Sequence, residues 1–303
     1  MIRHLEHKAV DKAKWDRCIE RSANSLIYAY SWYLDVVSPG WEALVLDDYT
    51  AVMPLTCRTK YGIRYLYQPF FTQQLGVFSP AETTEIQLRE FLDAIPEKFR
   101  FIEINLNQSN TFPLTGIQVK KNLNHELELG RPYPELFRAY SENTRRNIRK
   151  AGKHELVLKK DAELAGIITL FRQNRGREVK ELKARDYAVL SELVGVCRRR
   201  GRVQVWGVLS GRRLCAGAVF VSDGRRSIFL FSGLSAEGKE KGAMPFLIDH
   251  YIREYCGKDI ILDFEGSNDR SLARFYKGFG SKECVYLQVR KNRLPRVIRW
   301  LKK

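Results

Sequence analysis

Chemistry is most readable between Ser227 and Met244 of this 303-residue chain. An apolar run from Ser227 to Leu234 reads as a strand, and a loop bearing Gly238, Lys239, Lys241 and Gly242 follows it and opens the helix that starts at Ala243. A loop of this kind aims unpaired backbone N–H groups and the positive end of a helix at one place, which suits a pyrophosphate. Lys239 and Lys241 would add charge there; taken alone, a glycine-containing turn before a helix is more often only a turn. A second set is Arg145, Arg149 and Lys153, spaced by four, with Arg146 and Lys150 spaced likewise. They give one helix two adjoining basic stripes that can follow the phosphates of tRNA or of a lipid-linked precursor. No aromatic residues interleave to stack bases, and the competing reading is a solvated charged face. A third set is the stretch from Tyr67 to Gly76, rich in amides and aromatics. Lining a cleft between domains would let Tyr67, Gln68 and Gln73 orient a polar acceptor, and a buried aromatic turn with satisfied amides accounts for them equally well.

The totals narrow what these residues can belong to. A chain of this length implies two domains, each able to bury its own core. The net charge of +17 is uneven, at −2 over residues 1–130 and +19 over the remainder. An excess of that sign favours a polyanionic partner such as nucleic acid, coenzyme phosphates or an anionic membrane surface. The six cysteines are scattered without a C-x-x-C pair, and the five histidines have no ligand spacing, so neither a disulfide framework nor a metal site is expected. The start of the chain has no apolar signal region and no long uncharged apolar run occurs, so a cytoplasmic protein is expected. The tail from Leu294 to Lys303 is short, basic and amphipathic, with either an anionic membrane or the domain itself to lie on.

The elements that must position these residues follow from periodicity. In the first half, Asp11 caps a helix running to Asn24 and a second helix starts at Ser31. Strands are expected at 41–46, 51–57, 63–67 and 74–78, a helix around Leu88 and Phe91 closed by Pro96, and strands at 101–106 and 119–129. The second half reads more clearly: strand 155–158, helices 162–175 and 187–200, a three-strand meander at 203–209, 216–221 and 227–234, helix 243–255, strand 260–264, helix 270–277 and strand 284–289. This is an α/β (α+β) pattern around mixed, mostly antiparallel sheets flanked by helices. The domain boundary is expected after residue 130, giving domains 1–130 and 131–303, the second opened by a basic linker helix at 134–153. The strand-end stretches 102–110 and 262–268 echo each other, which suggests duplication.

Strand, basic glycine loop, helix, the strand bearing Asp263 and Glu265, then Asn268 and the helix containing Ser271, Leu272, Phe275 and Tyr276 resemble the core of the GNAT acyltransferase superfamily over residues 203–289. Residues 141–152, which contain Thr144, Arg145, Ile148, Arg149, Lys150 and Ala151, and Arg274 to Gly280 are similar to stretches of FemAB-like proteins, which carry two GNAT-like domains in tandem. The resemblance implies two such domains and an N-acyltransferase, with acyl-CoA (acetyl-CoA) as donor. In the family the strand before the loop splays from its neighbour and leaves room for the pantetheine arm, which points to Phe231, Gly233, Leu234, Lys239, Lys241, Gly242, Ala243 and Asn268 as donor contacts. Several FemAB-like members use aminoacyl-tRNA to modify a cell-wall precursor, the second reading; an anion-binding protein without catalysis is the third. The loop sequence Lys-Glu-Lys-Gly-Ala differs from the pattern common in acetyl-CoA users, and Tyr276 stands closer to the Gly278-Phe279 element than the family's catalytic tyrosine does.

Acyl transfer to an amine requires a group to take the ammonium proton. Glu265 and Asp263 are the candidate bases, placed on one face by strand alternation with Phe264 on the other, and Tyr276 is the candidate acid. Arg145, Arg149, Tyr67, Gln68 and Gln73 are the expected contacts to the acceptor, a small-molecule or cell-wall precursor amine. The plain alternatives are an Asp263–arginine ion pair and a Glu265 that caps the helix beginning near Asp269.

Overall fold

Apolar alternation and well-placed caps build the first unit, Met1–Asn122 together with the chain from Val285 on; the computed structural model describes residues 1–177 and 182–295. After β1 (Ile2–Leu5), α1 (Lys12–Arg21) begins where the Asp11 carboxylate accepts the amides of Ala13 and Lys14, satisfying donors that a helix start leaves open. Then come α2 (Ser31–Val37), β2 (Glu42–Leu46), β3 (Ala51–Leu55), β4 (Cys57–Lys60), β5 (Ile63–Leu66), α3 (Glu85–Asp93) and β6 (Phe99–Asn105). Strands β1, β2 and β3 form one antiparallel sheet. In a second sheet β4 and β5 are an antiparallel hairpin and β5 runs parallel to β6. Leu44, Met53, Phe91, Phe99, Ile102 and Ile104 are central to its core.

The stretch expected as a strand at 74–78 is not one. It makes two isolated bridges, Val52 to Phe78 and Leu75 to Leu106, because the Val77 N–H donates to Asn110 Oδ1 at 2.7 Å and the Leu75 and Val77 carbonyls accept from the Asn107 side chain.

β7 (Gln118–Glu128) carries the chain into the second unit, Leu123–Cys284. This unit continues with α4 (Tyr133–Arg138), α5 (Glu142–Ala151), β8 (Leu156–Lys160), α6 (Leu164–Gln173), α7 (Ala184–Arg199), β9 (Val203–Ser210), β10 (Arg213–Ser222), β11 (Arg226–Leu234), α8 (Ala236–Lys241), α9 (Ala243–Tyr255), β12 (Ile261–Asp263) and α10 (Arg270–Lys277). Its sheet order is β7-β12-β11-β10-β9-β8, antiparallel except for β11 beside β12. β13 (Lys282–Asn292) then returns and lies antiparallel to β6 from Gln288 to Asn292.

The linker helix expected at 134–153 is two helices, broken at Tyr140 and restarted by Ser141, whose hydroxyl accepts the Thr144 amide. The expected boundary after residue 130 differs from the division of the chain, which falls at Asn122, with the last strand assigned to the first unit.

Both units share one motif: an antiparallel hairpin, a helix, then a strand parallel to the hairpin's second strand. It is β4-β5-α3-β6 in the first and β10-β11-α9-β12 in the second. In each, an antiparallel strand lies on the far side of the parallel one, β13 beside β6 and β7 beside β12. Each closing strand therefore comes from the wrong place in the sequence: the strand that follows the first motif completes the second, and the last strand among the described residues completes the first. Among the described residues no helix is long and apolar enough to cross a membrane. Most of the basic tail, residues 296–303, lies outside the described residues.

Candidate functional site

The parallel pair β11–β12 is short. Arg226, Ser227 and Ile228 face Ile261, Leu262 and Asp263, and there the pairing stops. β11 continues through Leu234 alongside β10 alone, while the other chain leaves β12 at Phe264. The strands thus open like a V, and the space between them is a cavity of about 950 Å³ lined by Phe229 to Ser235 on one side and by Phe264, Glu265, Leu272, Phe275 and Tyr276 on the other. α6 lies against the outer part of β11, where a Cβ on Gly233 would sit 2.4 Å from the Ile167 carbonyl oxygen. Only glycine permits that approach.

The end of the cavity beyond β11 is not the open loop expected from the sequence. Ala236–Lys241 is a helix, α8, begun by Ser235, whose hydroxyl accepts the Gly238 amide. Gly242 then takes a left-handed conformation (φ 73°) and starts α9 with no side-chain cap. No side chain caps this helix start, and Pro245 has no amide to donate. A thirteen-residue helix thus turns its positive end toward Gly242, Met244 and Pro245, which line the cavity. Lys239 lines it too.

Lys241 does not, because its ammonium is held by Glu237 and the Ser210 hydroxyl, each at 2.8 Å. Ala243 is fully buried and its side chain is not in the lining. Asn268 faces elsewhere, accepting the Leu123 amide at 3.0 Å. Three of the eight expected donor contacts, Lys241, Ala243 and Asn268, are therefore structural. Phe231, Gly233, Leu234, Lys239 and Gly242 line the cavity.

Strand alternation fails at the carboxylates. β12 ends at Asp263, and Glu265 adopts a left-handed backbone (φ 52°) followed by left-handed Gly266, so Phe264 and Glu265 both reach the cavity and Asp263 does not. Asp263 is buried and paired with Arg226 at 2.9 Å, which removes it as a base. Glu265 caps nothing: Asp269 accepts the Ser271 and Leu272 amides at the start of α10. The Glu265 Oε1 atom is buried without a hydrogen-bond partner, and loss of water pushes its carboxyl up to about 8. Tyr276 stacks on Phe264 at 4.8 Å, and burial, with the Glu265 charge close by, raises its phenol. Asp269 is held well below the usual carboxylate range by the Ser271 hydroxyl and by Arg175, whose guanidinium is 2.5 Å away.

The basic stripe on α5 is partly neutralised. Arg149 pairs with Glu142 at 2.7 Å and Arg145 approaches the same carboxylate at 3.9 Å; neither lines the cavity, which Asn147 does. In the first unit, Gln68 donates to the Thr72 carbonyl at 2.7 Å and accepts the Asn105 amide at 2.9 Å. Gln73 accepts from the Gln74 side chain at 3.0 Å, and Tyr67 lies under the Arg58 guanidinium. Gln68 is thus occupied by its own backbone neighbourhood and is not available to an acceptor.

Sequence reasoning missed Phe171, Arg175, Phe229, Met244 and Asn147 as cavity residues. Arg175 carried the one usable signal, a cation at the end of a helix, but its partner Asp269 is 94 residues away.

A family profile described as an acetyltransferase (GNAT) domain matches residues 138–277, the segment that contains the V, the cavity and Glu265. No curated protein matches the sequence. Among solved structures, FemX superposes with a TM-score of 0.69 at 12% identity, covering 97% of this chain and 99% of that one. A tandem GNAT protein from the clavulanic acid biosynthesis pathway gives 0.55 at 11% identity, covering 97% and 99%. L-PGS from Bacillus licheniformis gives 0.54 at 12%, covering 96% and 95%. These likenesses establish the fold over both units.

Proposed function

We propose that this chain, whose residues 138–277 match an acetyltransferase (GNAT) domain profile and whose fold over both units is like that of FemX and of a tandem GNAT protein, is an N-acyltransferase that moves an acyl group from acyl-CoA to an amine, with its centre in the second unit. The observation that carries this is the parting of β11 and β12 after three paired residues beside an uncapped helix start. A thin, largely apolar arm with a phosphorylated end fits that shape: Phe231, Gly233 and Leu234 would flank the arm, and Lys239 with the positive end of α9 would hold the phosphates.

The donor supplies a thioester carbonyl that an amine can attack. The neutral amine attacks, and Glu265 takes the proton its nitrogen sheds on bonding to the carbonyl carbon, a task suited to a carboxyl whose affinity for protons has been raised toward neutrality. As the new carbon–nitrogen bond forms the carbon–sulfur bond breaks, the Tyr276 hydroxyl gives a proton to the departing thiolate, and the proton held by Glu265 restores the Tyr276 hydroxyl. No covalent enzyme intermediate is required, and the cavity lining holds no serine–histidine or cysteine–histidine pair.

Thermal denaturation in the presence of CoA tests the reading. CoA at about 100 times its dissociation constant adds roughly 2.7 kcal/mol to stability. A second reading, in which the donor is aminoacyl-tRNA, draws on the exposed Lys150 and Lys153 in a region with a net charge of +19. It predicts no shift with CoA and retention of tRNA that weakens steeply with salt.

A further inference from the structure

Glu265 is held in place by its backbone. Its carboxyl has a buried oxygen without a partner, whereas both ends of its peptide unit are fastened. The N–H donates to Asp263 Oδ1 at 3.1 Å, and the carbonyl accepts from the Ser267 hydroxyl at 3.0 Å. A left-handed, non-glycine residue costs on the order of 1 kcal/mol or more and persists only where its surroundings over-determine it.

Asp263 is itself anchored from two neighbouring strands. Asn124 of β7 donates to Oδ1 at 2.8 Å, Arg226 of β11 donates to Oδ2 at 2.9 Å, and Arg226 also binds Glu126 of β7. All four residues lie at the closed end of the V, where Ile228 and Glu126 are the paired neighbours of Asp263.

The geometry points to Asp263 as a positioning residue. Fixed by Arg226 and Asn124, it locks the left-handed turn at Glu265 and so aims that carboxyl into the cavity at the point where the strands part. The inference rests on Glu265 being the proton acceptor, and it assigns to the buried ion pair a part in function as well as in stability.

The contrast between Asp263→Asn and Asp263→Ala separates the two parts. Each removes the charge opposite Arg226, which keeps Glu126, and only alanine removes the acceptor for the Glu265 amide. The readout is titration of the Glu265 carboxyl by carbon NMR in full-length protein labelled at glutamate, with Glu265→Gln to assign the resonance. The groups that face this carboxyl are Tyr276 and, beyond it, Arg175 and Asp269 of the neighbouring elements; all are unchanged in the variants.

We expect Asp263→Asn to titrate as the parent does. In Asp263→Ala the carboxyl should escape to water, with its midpoint lower by about one pH unit or more. Equal midpoints in the parent and both variants overturn the proposal, as does an equal fall in both variants. If Asp263→Ala does not fold, Ser267→Ala loosens the other end of the same peptide unit and should lower the midpoint in the same direction; an unchanged midpoint there overturns the proposal too. Turnover of Glu265→Gln separates this from the wider reading. An active Glu265→Gln removes the proton acceptor and the positioning role with it, whereas an inactive one beside an unshifted Asp263→Ala removes the positioning role alone.

Discussion

The same motif ends differently in the two units. In the second, β11 runs from the parting of the strands straight into α8, and the space between it and the end of β12 stays open. In the first, β5 and β6 also part, after Leu66 and Ile102, but the chain beyond β5 turns back on itself. Gln68 accepts the Asn105 amide, Asn105 donates to the Gln73 carbonyl, and Leu75 exchanges backbone hydrogen bonds with Asn105 and Asn107. The corresponding space is stitched shut with amides. A duplicated fold can therefore keep its strand order while one copy loses the opening that makes it useful, and what decides is the dozen residues after the second hairpin strand.

If the open copy works as proposed, Glu265→Gln should produce the largest effect, lowering turnover by about 10²-fold or more while leaving the affinity for the donor unchanged; single-turnover transfer assays separate the two. In the parent enzyme, log(kcat/KM) should climb with pH until about 8, where the Glu265 carboxyl has lost its proton, and a profile level from pH 6 to 9 would remove it as the base. The same group has a consequence for stability. Its folded-state affinity for protons is raised, so its contribution is full below the ordinary carboxylate range and is lost as pH rises through about 8. Glu265→Gln should therefore melt above the parent at pH 9 and level with it at pH 4.5.

Lys239→Glu should weaken donor binding about tenfold or more by placing a negative charge where phosphate is held, with Lys241→Ala as the matched control that leaves donor binding alone. The smallest effect on transfer belongs to the closed copy. Gln68→Ala should leave activity untouched and cost about 1–3 kcal/mol of stability in urea unfolding, since the Asn105 amide then has no side-chain acceptor. Loss of transfer in a stably folded Gln68→Ala would break the contrast between the two copies.

Local signals made much of this legible from sequence. Helices α9 and α10 begin and end where they were expected because Gly242 and Asp269 mark their starts and apolar spacing runs between. Phe231, Gly233, Leu234, Lys239 and Gly242 could be grouped from sequence, and all line the cavity, because a strand leading into a charged glycine turn is a local pattern. The expectation that Asp263 and Glu265 share a face fails because period-two alternation holds only while a strand lasts, and β12 is three residues long. The stretch 74–78 has the composition of a strand, but its partners are asparagines 30 or more residues away. Arg226 and Asn124 carried no sequence signal, since each matters through a residue it meets only after folding.

The crossed origin of the closing strands sets an order of events during synthesis. Everything between Leu123 and Cys284 leaves the ribosome as one uninterrupted stretch and can settle as soon as it has emerged. Residues 1–122, although made before that stretch, must wait with the edge of β6 bare until β13 arrives. A messenger truncated just after codon 284 would thus yield a chain whose older half, not its younger one, is the unfinished and aggregation-prone part.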